Sequence, residues 1–292
     1  MKYALFTGCV AKGAGRELMT ATTLVCKKLG IELVEMVDAA CCGAGVISED
    51  NPMIADIVNA RTFALAEEQG LNIMNICGTC QGVHRKLQVK LAKDPAYKAR
   101  VNKALIAETG HEYKGRVEIK HFYEVMLEDF GLDKLKAAVT KPLSELKVAP
   151  FYGCYALRPH EYSDLENPDN PNELEKLFET LGCKVVEYSE RLKCCGFPIL
   201  MMNKTNSLQL SGNAILSAKN AGADCLVTPC PLCHLNMDAY QPEIESCTGE
   251  SLNMPILHVP QLVAMALGFS TNDLKMRTHI VRPTEAVTSA QA

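Results

Sequence analysis

The chain has 292 residues, 48% of them hydrophobic and 22% charged, with a formal net charge of −4; this predicts a globular protein with core enough for one large domain or two smaller ones and excludes a general nucleic-acid binder, which shows a basic face. No run reaches the roughly 18 apolar residues of a membrane span, and the N-terminal stretch lacks the long apolar region and small-residue cleavage site of a signal peptide. A cytoplasmic location is expected, and there 14 cysteines favour metal or redox chemistry over structural disulfides.

Residues 2–8 form an aromatic-leaning strand that runs into Gly8-Cys9. Leu18, Thr22, Val25 and Leu29 keep helical spacing over 13–29, and Gly30 stops that helix. Residues 31–37 alternate as a strand and lead to the loop Cys41-Cys42-Gly43-Ala44-Gly45. A helix over 52–70 and a strand over 71–76 follow, and the strand delivers Cys77. A polar, basic helix is expected from about Gln81. Residues 117–126 then give a short strand and a helix start near His121.

The second half repeats this order. A strand over 147–152 leads to Gly153-Cys154, a helix over 172–181 stops at Gly182, and a strand over 184–188 matches 32–36. Cys194-Cys195-Gly196 follows, then a helix over about 206–221 and a strand over 224–228 that delivers Cys230. Residues 255–265 resemble 118–126, which sets His258 against His121. Strand–helix alternation predicts α/β architecture: two pseudo-repeated Rossmann-like domains with mainly parallel sheets, over 1–140 and 141–280. The seam is expected near 134–150. The Pro-, Asp- and Asn-rich stretch 158–171 reads as a loop, and 281–292 as a disordered tail.

Ten cysteines carry the repeat: Cys9, Cys41, Cys42, Cys77 and Cys80 in one half, and Cys154, Cys194, Cys195, Cys230 and Cys233 in the other. In both, 34 residues separate the Cys-Cys pair from Cys-x-x-Cys, and 195 minus 42 and 233 minus 80 both equal 153. Each of these cysteines is expected where a strand ends, the place where parallel α/β folds hold ligands. Structural zinc takes four tetrahedral ligands, and the common cubane cluster takes four cysteines. Five sulfurs with an adjacent pair fit a larger or irregular iron–sulfur cluster best, with zinc as the alternative. Cys26, Cys183, Cys225 and Cys247 lie outside the pattern and read as small buried hydrophobes.

Two modules of this kind, with Gly8-Cys9, Gly153-Cys154, both Cys-Cys-Gly loops, both Cys-x-x-Cys pairs and the insertion Arg158-Pro159…Asn167-Pro168-Asp169-Asn170-Pro171, resemble the B subunit of heterodisulfide reductase over nearly the whole chain. The resemblance implies two non-cubane 4Fe–4S clusters, one per five-cysteine set, facing a shared cavity where a disulfide is cleaved. The bulky stretch 197–202 after the second pair, and Ala11-Lys12-Gly13-Ala14-Gly15-Arg16, resemble more closely the B-type subunit of the heterodisulfide-reductase-like complex of sulfur oxidisers. That implies sulfur carried on a lipoyl protein. The alternatives are reduction of the CoM-S-S-CoB heterodisulfide of methanogens and an electron-relay subunit of a quinone-linked dehydrogenase.

No flavin or nicotinamide fingerprint, phosphate loop or ferredoxin cysteine run is present. Electrons must therefore pass through partners, which the resemblance names as an iron–sulfur C-type subunit and a flavin-bearing A-type subunit. His84 and His234 follow the Cys-x-x-Cys pairs, while Lys12, Arg16, Arg158 and His160 follow the lone cysteines. All six are candidates for a substrate pocket, weighed against solvated surface or packing. His121 and His258 read as a shared structural device, and Met201 and Met202 as core or interface.

Overall fold

The computed structural model describes residues 1–163 and 165–290. Four parallel strands in each half make two sheets of identical order. In the first, β1 (Lys2–Phe6), β2 (Glu32–Glu35), β3 (Asn72–Asn75) and β4 (Ile119–His121) run in the order β2-β1-β3-β4. In the second, β5 (Lys147–Pro150), β6 (Lys184–Val185), β7 (Cys225–Thr228) and β8 (Ile256–His258) run in the order β6-β5-β7-β8. Ala4 pairs with Val34 and Ile73, and Val148 with Val185 and Cys225, so β1 and β5 are each hydrogen-bonded on both sides.

Helices cover both faces, as parallel sheets require. Successive side chains alternate between two apolar clusters. Leu5 and Met74 join one, and Ala4, Phe6 and Ile73 the other. Val148, Val227 and Leu257 of the second sheet enter the first cluster, while Ala149, Leu226 and Ile256 enter the second. Each cluster therefore runs through both halves. Helix Arg16–Lys28 of the first half packs directly on helix Val259–Ala266 of the second.

The local rules repeat with the topology. After each Cys-Cys-Gly loop a long helix begins, Pro52–Glu68 or Lys204–Asn220, and each is capped by an asparagine. Asn51 Oδ1 accepts from Ile54 N and Asn203 Oδ1 from Asn206 N, both at 3.1 Å. His121 and His258 each precede a helix and share one device: Glu124 Oε2 accepts from His121 N at 2.6 Å, and Gln261 Oε1 from His258 N at 3.0 Å.

Four expectations need correction. The basic helix begins at Gly78, directly after Cys77, and runs to Lys93. β6 ends at Val185; Val186 N still donates to Val148 O, but Tyr188 turns its hydroxyl onto Pro150 O at 2.9 Å. Within the expected tail 281–292, Glu285–Ser289 form a helix and Val287 is fully buried in the core, while 291 and 292 lie outside the described residues. Met201 and Met202 are 95% and 80% exposed, so neither is core. No helix among the described residues is long and apolar enough to cross a membrane.

Candidate metal centres

The strand–helix junctions bring each five-cysteine set together. Cys9 lies in the short helix Gly8–Lys12 after β1, and Cys154 opens the helix Cys154–Leu157 after β5. Cys77 and Cys230 stand at the N-caps of helices Gly78–Lys93 and Pro231–Asp238, so Cys80 and Cys233 fall in the first turns. There the free backbone N–H groups and the helix dipole favour thiolate. Gly8 and Gly153 have φ of +69° and +78°, and an added Cβ would come 3.3 Å from Cys80 Sγ and 3.1 Å from Cys233 Sγ. Glycine is needed there both for the turn and for the room.

The two sets match closely. Cys41 Sγ lies 3.8 Å from Cys9 Sγ, and Cys194 Sγ 3.6 Å from Cys154 Sγ. Gly43 N donates to Cys41 Sγ, and Gly196 N to Cys194 Sγ, each at 3.4 Å. Cys42 also contacts Cys80, and Cys195 contacts Cys233. The sets meet across the halves: Cys77 contacts Cys230, Thr79 Oγ1 lies 3.3 Å from Cys230 Sγ, and Pro229 O accepts from Gly78 N at 3.2 Å and lies 3.0 Å from His121 Nε2.

Crowding divides the protons unequally. Contacts with Cys42 and Cys9 hold Cys41 down to about 2, and contacts with Cys154 and Cys195 hold Cys194 down to about 3. Cys9 and Cys154 are pushed well up, first by Cys41 and Cys194 and then by burial. Cys80 and Cys233 are also raised, by their neighbouring thiols and burial. The bare first set thus keeps one thiolate among thiols, while in the second Cys230, held well down by Cys233 and Cys77, joins Cys194. Five thiolates so close together need positive charge between them, and that is the donor chemistry an iron–sulfur cluster fits.

The other candidates separate. Lys12 lines a cavity of about 190 Å³ with Cys9 and Cys41, and its ammonium lies 3.4 Å from Glu35. Arg158 lines a larger cavity, about 390 Å³, with Cys154, Tyr155, Lys86 and Lys90. Arg16 is exposed at the start of its helix. His160 is exposed and lies 3.3 Å from Asp169. His84 is no pocket residue. It is fully buried, accepts from Asn75 Nδ2 at Nδ1 (3.2 Å) and pairs through Nε2 with Asn59 Oδ1 (3.1 Å), while Asn59 Nδ2 donates to Cys42 O at 3.0 Å. His234 is buried too and stacks on His258. Of the four remaining cysteines, Cys26, Cys183 and Cys225 are buried and Cys247 is exposed. Sequence reasoning missed Lys86 and Lys90; their one signal was the basic composition of the helix after Cys80.

The fold and its two sulfur-rich junctions define a tandem cysteine-rich redox protein. Residues 3–83 and 148–238 each match the CCG cysteine-rich domain. The B subunit of a ferredoxin/F(420)H(2)-dependent CoB-CoM heterodisulfide reductase from Methanosarcina acetivorans is 33% identical, over 97% of this chain and 95% of its own. A protein of Archaeoglobus profundus, named as like the B subunit of heterodisulfide reductase, is 31% identical, over 92% and 91%. The 8-methylmenaquinol:fumarate reductase membrane anchor subunit of Wolinella succinogenes is 33% identical, over 97% and 98%. The crystal structure of a hypothetical protein from Helicobacter pylori aligns at a TM-score of 0.78 with 18% identity, covering 97% of this chain and 52% of that one, a likeness of fold alone. The chain belongs to the CCG cysteine-rich domain family, among relatives that carry the name of the heterodisulfide reductase B subunit.

Proposed function

We propose that Cys9, Cys41, Cys42, Cys77 and Cys80 hold one iron–sulfur cluster and Cys154, Cys194, Cys195, Cys230 and Cys233 a second, both of the non-cubane 4Fe–4S kind. The chain then serves as the sulfur-handling redox subunit of a larger cytoplasmic complex, its halves lying over 1–140 and 141–280. The matched sulfur geometry of the two sets carries this reading. Bound clusters supply one-electron transfer and iron with affinity for sulfur. The protein's own part is to bind and orient. The cavity beside Cys154 presents Lys86 and Arg158, which suit an anionic thiol, disulfide or carried sulfur. Lys90 is tied to Asp56 at 2.6 Å and braces that wall. An iron–sulfur C-type and a flavin-bearing A-type subunit would exchange electrons with it, and a lipoyl carrier would deliver sulfur in the oxidative direction.

A second reading, a relay subunit in a quinone-linked oxidoreductase, is favoured by the name of the Wolinella succinogenes relative and by Met201 and Met202, which lie bare beside the second Cys-Cys-Gly loop. Turnover of a thiol or disulfide by the isolated chain with an artificial electron donor, and a raised KM in Arg158→Gln, support the sulfur reading. No turnover by cluster-loaded protein supports the relay. For the sites, Cys42→Ser and Cys195→Ser should each remove one cluster signal and spare the other. Loss of both signals in folded protein would overturn two separate sites. More than about one zinc per half with little iron would replace iron–sulfur by zinc.

A further inference from the structure

Away from the ten cysteines, three segments distant in sequence converge on one buried cluster. Glu17 comes from the first turn of helix Arg16–Lys28, His234 from helix Pro231–Asp238, and His279 from the stretch after the turn Met276–Thr278. All three are buried, and a ligand atom of each lies within 4.8 Å of the others. His258 joins them from the end of β8. Its ring stacks on His234 at 3.9 Å, and its Nε2 lies 3.4 Å from Glu17 Oε1. The group borders a cavity of about 160 Å³.

The unusual feature is what these rings lack. His234 Nε2, His258 Nδ1 and His279 Nδ1 are buried without a hydrogen-bond partner, although buried polar atoms are normally paired. Neutral imidazole is the form that ligates metal.

Neighbouring groups fix the positions of the rings and of Glu17. His234 Nε2 stays open while the ring stacks on His258. Gln261, whose Oε1 accepts from His258 N, donates from Nε2 to His279 Nε2 at 3.0 Å, so the neutral ring carries its proton on Nδ1 and Nε2 is the lone pair a metal would take over from Gln261. Thr278 Oγ1 donates to Glu17 Oε2 at 3.4 Å. Asp238 accepts from Ile280 N and Val281 N at 2.8 and 3.0 Å, which pins the segment that carries His279.

We propose that Glu17, His234 and His279 form a third metal site, for a single divalent first-row transition ion, which clips the first half, the second half and the C-terminal segment together. Two imidazoles and one carboxylate without sulfur suit zinc or ferrous iron, and zinc binds such a donor set more tightly than ferrous iron does. Zinc is therefore the probe. The full-length chain, with its clusters loaded anaerobically, is titrated with a zinc salt, desalted, and examined by metal analysis and zinc K-edge absorption. The expected result is about one zinc per chain with a nitrogen and oxygen shell near 2.0–2.1 Å and no sulfur shell near 2.3 Å. Glu17→Gln and His279→Ala should both lose that zinc with cluster iron and sulfide unchanged. Glu17→Gln preserves shape and decides alone if His279→Ala misfolds. No zinc on the folded wild-type chain, a sulfur shell, or equal zinc in the variants would overturn the site. Because the shell separates nitrogen from sulfur, failure here is distinct from failure of the cluster sites.

Discussion

In the first half one buried amide, Asn59, donates to the Cys42 carbonyl; in the second, Ser211 and Asn236 both donate to the Cys195 carbonyl at 2.7 Å. The position one after each Cys-x-x-Cys differs as well. Gln81 accepts from Asn75 (2.7 Å) and donates to Glu124 (3.1 Å), whereas its counterpart His234 leaves Nε2 without a partner beside two further imidazoles. The sulfurs kept their places through the repeat while the polar groups behind them did not. The supporting layer is free to diverge, and there the halves acquire separate roles.

The largest expected difference lies in the two Cys-Cys-Gly glycines. A Cβ on Gly196 would sit 2.6 Å from Ser207 O and 2.8 Å from Ser207 Cα at a φ of +88°, while one on Gly43, at +73°, would meet only the Ile47 side chain at 3.1 Å. Gly196→Ala should cost about 3 kcal/mol or more and strip the second set's iron, while Gly43→Ala should cost about 1–2 kcal/mol and retain the first set's. Thermal melts and iron per chain measure both. Equal losses would make the two loops equivalent.

Asn59→Ala comes next. It leaves Cys42 O and His84 Nε2 without their partner and should cost about 2–3 kcal/mol; Ser211→Ala leaves Asn236 on Cys195 O and should cost about 1 kcal/mol or less. A reversed order in denaturant melts would show that the second carbonyl depends on Ser211 alone.

The smallest effect concerns pH. Burial holds His84 down to about 3 from an ordinary value of 6.5. Between those values the unfolded chain binds a proton that the folded chain refuses, so stability falls as pH drops below 6.5. His84→Gln should flatten this acid limb by about one proton, or ~1.4 kcal/mol per pH unit. Denaturant melts between about pH 5 and 7 test it, and an unchanged slope would remove His84 from the account.

Much of this was legible in the chain because the signals are local. A strand running into Gly-Cys, the 34-residue spacing and the paired His121 and His258 need only neighbours to be understood. What was hidden depends on the far side of a contact. His84 and His234 follow their cysteine pairs as a pocket residue would, and only the packed fold shows each turned inward. Glu17 and His279 stand 262 positions apart (279 minus 17) and share no motif. Met201 and Met202 carry an apolar composition that reads as core or interface, and only the fold shows that they are exposed rather than core. Val287 sits in a polar tail whose composition hides its one buried anchor.

The carbonyl of Pro229 has a consequence for how the chain is made. His121 lies 108 residues before it, and all five sulfurs of the first set precede residue 81. Domains leaving the ribosome fold in order of synthesis. Every residue of the first sheet and of its cysteine set is therefore translated while Pro229 is still to come. Until then Gly78 N–H, His121 Nε2 and the Cys77 thiol stand open to water, and the seam between the halves is the last part of the molecule to close. A chain released before residue 229 would carry the first cysteine set with its Cys77 edge uncovered.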